Sequence, residues 1–336
     1  MGCNAPCAGI QALDQEAFTS LAREWNELLQ RAHDNRIFYT PLWYRVWWHH
    51  FGAGTARVYV ARDDDGRLQG VLPLQVHESA QGTVVSIVGD YNVSDYMDAV
   101  SEKGDAESVL VRLWGEAIAD LRPDRIELRH IPSTSPTIPA LQRIPGSTGP
   151  ETDEVCPVAI LCSSWEGYLQ MLTKKQRHEV RRKLRRAQEG ADWSWRTVAT
   201  RDDLERDLDA FFRLHEASTH DKARFMTPPM RAFFRALAAE LLDASILRLS
   251  IYRRDGVDVA ATMSFLYRDR WLLYNSGYDP AFAAHSPGIA AVAHAMQDAI
   301  EEKAVAFDFL SGDELYKYQL GATNTHTCRV SFSPSL

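Results

Sequence analysis

Residues 307–322, FDFLSGDELYKYQLGA, begin as an apolar run, break at Gly312, and then place Asp313, Glu314, Tyr316 and Lys317 within five positions. Together with Asp308 inside the run, these side chains form a proton-transfer set. A carboxylate takes a proton, a phenol with a pKa of about 10 returns one, and an ammonium pairs with a carboxylate or a phosphate. The alternation Phe307, Asp308, Phe309 predicts a strand with Asp308 on the face opposite two aromatics. An Asp in such a strand is charge-paired, hydrogen-bonded or shifted in pKa. Two readings stay open here: a catalytic rim, or a turn held by an Asp308–Lys317 pair.

A second feature precedes it. Ser286-Pro287-Gly288, followed by Ile289, stands after a strand and a loop, where a helix over about 288–303 is expected to begin. A helix N-terminus carries unpaired N–H groups and the positive end of the macrodipole, so it suits a phosphate, and Gly288 lets the phosphate approach the backbone. The third feature is electrostatic. The chain has net charge −8, yet residues 174–186 carry eight Lys or Arg and one Glu, net +7, which leaves −15 for the rest. On a helix, Lys174, Arg177, Arg181 and Arg185 share one flank beside a narrow apolar stripe, and clustered guanidinium forks draw anions. No nucleic-acid-binding motif accompanies the run. His215 and Glu216 are candidates to face the same cleft, but with His220 five residues on and no third ligand, a surface histidine pair is the expectation and no metal is implied.

The elements that must position these groups follow from periodicity. Residues 16–31 and 41–51 read as helices, the second opened by Pro41. The runs 56–62 and 68–76 read as strands joined through Asp65-Gly66, a hairpin signal, with a further strand at 83–88. A polar loop, a helix at about 106–121 and a strand at 125–131 come next. Residues 132–153 are rich in Pro, Ser, Thr and Gly and read as a linker. The strand 156–162 restarts regular structure, and helices are expected at about 165–189, 201–219 and 228–242. Then the order returns: strands 246–254 and 257–268 around Asp255-Gly256, strand 271–278, a loop, a helix and strand 305–310. Two domains, 9–153 and 154–336, each built on a mostly antiparallel sheet flanked by helices, account for the repetition.

Composition sets outer bounds. A chain of 336 residues, 45% hydrophobic and 24% charged, can bury a substantial core. No apolar run nears the roughly eighteen residues of a membrane span. The stretch MGCNAPCAGIQALDQ lacks a basic region followed by an apolar one, so no secretory signal is expected, and Pro6 stands where a myristoylation motif has Ser or Thr. Five cysteines, at 3, 7, 156, 162 and 328, match no zinc spacing and no disulfide framework, so the expected setting is a reducing cytoplasm.

The order of elements resembles the GNAT acyltransferase fold, present twice, an α/β architecture. Residues 274–322, from YNSGYDP to YKYQLGA, resemble the end of the domain of cellulose biosynthesis proteins of the CelD/BcsL type. The basic helix KKQRHEVRRKLRRAQEG and the aromatic helix YTPLWYRVWWHHFG are similar to other parts of those proteins. More distantly the chain is similar to the FemAB-type transferases, which use aminoacyl-tRNA. The resemblance implies acyl transfer, with acyl-CoA as donor and an amine or hydroxyl of a sugar-like or small molecule as acceptor. It implies that Ser286, Pro287, Gly288 and Ile289 hold the donor's pyrophosphate, although a longer glycine-rich loop is usual there. It implies Asp308 or Asp313 as base, Tyr316 as acid to the leaving thiolate, and Lys317 as a partner of Asp308 or Asp313 or a phosphate contact. Lys174, Arg177, Arg181, Arg185 and Tyr278 would bind the anionic part of a substrate.

The first domain has a different loop, GDYNVSDYMDAV, without a Pro-Gly helix start. Its Tyr91 and Asp95 are candidates for acceptor contacts. Two alternatives stand beside acyl-CoA chemistry: transfer from aminoacyl-tRNA, with the basic helix on the RNA, and a non-catalytic protein of polysaccharide biosynthesis that binds an anionic polymer or a partner.

Overall fold

A computed structural model describes residues 9–80, 82–90 and 92–334. Cys3, Cys7 and Tyr91 therefore lie outside the described residues. The chain forms two compact units: one runs to Glu154 and takes back the C-terminal stretch from His326, and the other is Val155–Thr325.

In the first unit, β1 (Gly9–Leu13), α1 (Ala17–Ser20), α2 (Ala22–Leu29) and α3 (Pro41–Phe51) precede β2 (Thr55–Arg62), β3 (Leu68–Ser79) and β4 (Gly82–Ile87). Then come β5 (Val100–Ser101), α4 (Ala106–Leu121), β6 (Arg125–Pro132) and α5 (Thr137–Gln142). The sheet order is β1-β2-β3-β4-β6, with the last strand of the chain beyond β6. All pairs are antiparallel except β4 with β6. Thr40 caps α3 through Trp43 N, and Pro41 occupies the first turn where its missing N–H costs nothing. Trp114, Leu113 and Val109 of α4 fill one face of the sheet. The expected helix over 16–31 is broken at Leu21 into α1 and α2.

The second unit is entered through β7 (Glu151–Ile160). There follow α6 (Trp165–Met171), α7 (Lys174–Gln188), β8 (Trp193–Thr197), α8 (Arg201–Ser218), α9 (His220–Phe225) and α10 (Pro228–Asp243). The remaining elements are β9 (Leu247–Arg254), β10 (Val257–Tyr267), β11 (Arg270–Tyr278), α11 (Pro287–Glu301), β12 (Ala306–Asp308), α12 (Leu315–Gln319) and β13 (Thr323–Phe332), which leads back to the first unit. The sheet order is β7-β12-β11-β10-β9-β8, and β11–β12 is the parallel pair. In the β9–β10 hairpin both Asp255 and Gly256 have positive φ, 48° and 79°, the conformation that an Asp-Gly turn favours.

The expected α/β class, with a mixed and mostly antiparallel sheet flanked by helices in each unit, is what the structure has. Three details differ. Residues 132–153 are not an open linker: α5 buries Thr137, Ile138, Ala140 and Leu141. The expected helix over 165–189 is two, because Thr173 and Gln176 form a reciprocal capping box that starts α7 afresh. Asp308 lies, as the apolar run led one to expect, inside a buried strand. β12 is an interior strand covered on both faces, and Asp308 is fully buried. Finally, β8, α12 and β13 are additional elements.

Candidate functional site

The site is built where two parallel strands part. β11 and β12 pair only from Arg270↔Ala306 to Leu272↔Asp308, after which β11 runs on to Tyr278 and the other chain turns away. The turn is made by Leu310 at φ 56°, a strained value for a large side chain. Asp308 Oδ1 accepts from Leu310 N at 2.9 Å. The Lys317 ammonium, also buried, donates to the carbonyls of Leu310, Ser311 and Gly312 at 3.3, 2.8 and 2.9 Å. Its ion-pair partner is Glu314, 2.9 Å away. Asp308 and Lys317 thus both hold the turn, each through its backbone groups. Asp313 is exposed and is not part of the cavity wall.

The parting strands leave a cavity of about 440 Å³. Ser276, Gly277 and Tyr278 of β11 form one wall, Glu314 and Tyr316 another, and the first turn of α11 a third. Register slips at Met263/Ser264, so that Tyr274 bulges out of the β10–β11 ladder just before this stretch. Gly277 is required by close approach: a Cβ there would lie 2.3 Å from His215 N of α8. That contact brings the end of α8 onto β11, where Ser218 Oγ accepts from Tyr278 N at 2.8 Å.

Ser286, Pro287, Gly288 and Ile289 all line the cavity, as the sequence led one to expect. Ala290 N bonds to Ser286 O, so the free donors at the start of α11 are the N–H groups of Gly288 and Ile289. Alanines 290, 291, 293, 295 and 299 are buried and let α11 pack closely. Tyr278 lies beside Gly288, whose Cβ position is 3.1 Å from the Tyr278 ring.

Tyr316 is the member of the expected catalytic set whose side chain reaches this wall. Its hydroxyl has no hydrogen-bond partner among the described residues. Burial first, and then the nearby Glu314 carboxylate, push its pKa well above that of a free phenol, so it stays protonated. Glu314 itself is on the wall.

One group comes forward that the sequence did not single out. Lys222, in α9, lines the cavity and donates to Ser276 O at 2.5 Å. Burial lowers its pKa, with Glu314 opposing that shift and Lys317 adding to it. Thr219 caps α9 through Lys222 N, and that cap followed by a basic residue is the sequence signal that points to it. His215 is not a surface histidine. It is buried against β11, with Nε2 and Asn275 Oδ1 2.9 Å apart, and burial lowers its pKa to about 4. His220 is exposed, and among the described residues no three His, Cys, Asp or Glu are grouped to hold a metal ion. Among the described residues no helix is long and apolar enough to cross a membrane.

The basic helix divides its charges. Arg177 Nη1 turns to Leu169 O and Gln170 Oε1, at 3.3 and 3.0 Å, and Arg181 pairs with Glu166 at 2.7 Å. Arg185 instead joins Lys175, His178 and Arg182 along a groove of about 770 Å³ whose far side is Leu315, Tyr318 and Gln319 of α12. The expected flank of Lys174, Arg177, Arg181 and Arg185 is therefore not one surface, because α6 claims two of the four. Lys174, Lys175, Arg185 and Arg186 have no hydrogen-bonding or ion-pair partner among the described residues. In the first unit, Asp95 is half-buried.

Residues 174–318, all within the second unit, match the sequence family described as an acetyltransferase (GNAT) domain. No curated protein matches the chain. Among solved structures the chain is similar to FemX, at 11% identity, covering 96% of this chain and 97% of that one, with a TM-score of 0.67. It is similar to the C-terminal domain of a putative lysylphosphatidylglycerol synthetase from Agrobacterium fabrum, at 10% identity over 94% and 92% of the two chains, TM-score 0.58. It is also similar to L-PGS from Bacillus licheniformis, at 11% identity over 91% and 90%, TM-score 0.54. At these identities the likeness is one of fold. The GNAT-type description applies to residues 174–318 of the second unit.

Proposed function

We propose that the chain is an acyltransferase of the GNAT type that uses the cavity of the second unit, with acyl-CoA as donor and an amine or hydroxyl of a sugar-like or small molecule as acceptor. The observation that carries this reading is the cavity between β11 and β12, with the free N–H groups of Gly288 and Ile289 and the Tyr316 hydroxyl on its walls. The two N–H groups and the Lys222 ammonium supply donors for a pyrophosphate at the positive end of α11. Tyr316 gives its proton to the sulfur as the C–S bond breaks. Glu314, held by Lys317, takes the proton from the attacking amine or hydroxyl as the new acyl bond forms. Asp308 and Lys317 act through the turn they hold, and Asp313 has no part in the step. The CelD/BcsL resemblance supports a place in polysaccharide biosynthesis, and the cysteine pattern a cytoplasmic setting.

Calorimetric titration with acetyl-CoA, followed by turnover with amine acceptors, tests this reading. Wild-type protein is expected to bind the donor saturably. Tyr316→Phe should keep the donor affinity and lose about 10²-fold in kcat. Absence of binding at millimolar acetyl-CoA would remove the CoA reading.

One observation favours a second reading, transfer from aminoacyl-tRNA: the groove along α7 and its unpaired cations. Under that reading RNA binding weakens steeply with salt and loses most of its salt slope when Lys175, Arg182 and Arg185 are neutralised. The third reading, a non-catalytic polymer-binding protein, would give tight polymer binding without turnover.

A further inference from the structure

The first unit repeats the strand geometry of the second with opposite chemistry. β4 and β6 pair in parallel only at Val84↔Arg125 and Val85↔Ile126 and then part. The gap is a cavity of about 530 Å³, within the range of small-molecule sites. Trp47 and Phe51, one turn apart on α3 with ring centroids 6.1 Å apart, form an aromatic wall. The Trp47 Nε1 group is buried with no acceptor among the described residues, an unspent donor at the wall.

The polar lining is aimed at donors. Gln75, itself buried, gives its Nε2 hydrogens to Ser86 Oγ and Gly89 O at 3.0 and 3.2 Å. Because Gly89 O can only accept, the amide orientation is fixed and Oε1 remains an acceptor for a ligand. Asp90 and Glu127 add carboxylates to the same cavity; Asp90 Oδ1 accepts from Asn92 N and Nδ2 at 2.7 Å, and Glu127 Oε1 pairs with Arg125 at 2.7 Å, so each brings its second oxygen to a ligand. His77 and Arg129 also line it, and Arg129 is committed to Asp153 through Nε and Nη2.

Among the described residues of 88–99 none is helical, so no helix N-terminus faces the gap as α11 does in the second unit. Acceptor oxygens around an aromatic wall suit a ring that carries hydroxyl and ammonium groups, since the ammonium gains both carboxylate and cation–π contacts.

We infer that the cavity between β4 and β6 is a separate binding site for an amino sugar, with Trp47 and Phe51 against the ring and Gln75, Asp90 and Glu127 receiving its hydroxyl and ammonium hydrogens. The site lies within the first unit and requires no acyl donor. Its failure is therefore separable from failure of the acyl-CoA reading.

The test titrates the full chain, without any acyl donor, with glucosamine, glucose and glucose 6-phosphate, following heat and tryptophan fluorescence. Glucosamine should bind saturably in the millimolar range, glucose about tenfold more weakly, and glucose 6-phosphate more weakly still. Asp90→Asn and Glu127→Gln, both outside the buried core, should each weaken glucosamine about fivefold, and Trp47→Phe should remove most of the fluorescence change. Absence of saturable glucosamine binding would overturn the inference. So would tighter binding of glucose 6-phosphate, or affinities unchanged in both carboxylate variants.

Discussion

Gly288→Val is expected to weaken acetyl-CoA binding about 100-fold while leaving the thermal midpoint of the chain nearly unchanged. Gly288 is the second residue of α11, and its N–H is one of the two free donors at the cavity. A Cβ on it would meet the Tyr278 ring at 3.1 and 3.4 Å and its Cβ at 3.6 Å, so alanine already crowds that side chain. Valine adds two methyl groups in the space through which a pyrophosphate must approach the backbone. A hundredfold loss corresponds to about 2.7 kcal/mol, the scale of one or two charge-assisted hydrogen bonds. Gly288→Ala should fall between, at about tenfold. Calorimetric titration of the three proteins measures this, and equal affinities would mean that the donor does not approach the start of α11.

The second large effect concerns stability. Asp98, in the first unit, is buried and accepts from Thr137 Oγ1 at 2.5 Å and from Ala99 N at 2.8 Å. Burial outweighs these hydrogen bonds and the one from Ser135, and with a small push from Asp34 its pKa is raised to about 7. The folded state therefore holds a proton that the unfolded chain releases at about pH 4. Stability from this group is fully present below the unfolded pKa and is lost as pH rises through about 7. The full excursion is worth up to about 4 kcal/mol, on the order of 10 °C in midpoint for a unit of this size. Asp98→Asn keeps Oδ1 for Thr137 and Ala99, and the Ser135 hydroxyl can rotate to accept from the new amide. Melting of both proteins from pH 5 to 8 should show the wild type losing stability as pH rises and the variant holding level. Parallel curves would mean that Asp98 is ionised at no net cost.

What the sequence reveals of this architecture is the part decided by local chemistry. Pro287-Gly288 marks a helix start because proline's missing N–H and glycine's missing Cβ act on their own residues. Asp255-Gly256 marks a turn because both residues tolerate positive φ. The apolar run at 307–309 gives a buried strand but not its neighbours, since the sheet order that sets β7 and β11 beside β12 is fixed by residues far along the chain. Charge on α7 is equally legible, yet which cations stay open depends on Glu166 and Leu169 of α6 reaching Arg181 and Arg177. Lys222 was hidden for the same reason. Its place in the cavity depends on Gly277 allowing α8 to dock on β11, a contact between residues some sixty positions apart. Arg177 and Arg181 show the reverse error, in which helical periodicity alone assigns two residues to a surface that a neighbouring helix has taken.

The central claim, that an acyl donor is held at the start of α11 in the second unit, is tested most directly by hydrogen–deuterium exchange on the intact chain with and without acetyl-CoA. The Gly288 and Ile289 amides have no intrahelical partner and exchange readily unless a ligand accepts from them. Protection at these two residues and along Ser276–Tyr278, with α7 unchanged, is the predicted result. Protection confined to Lys174–Gln188, or none anywhere in the second unit, would contradict it.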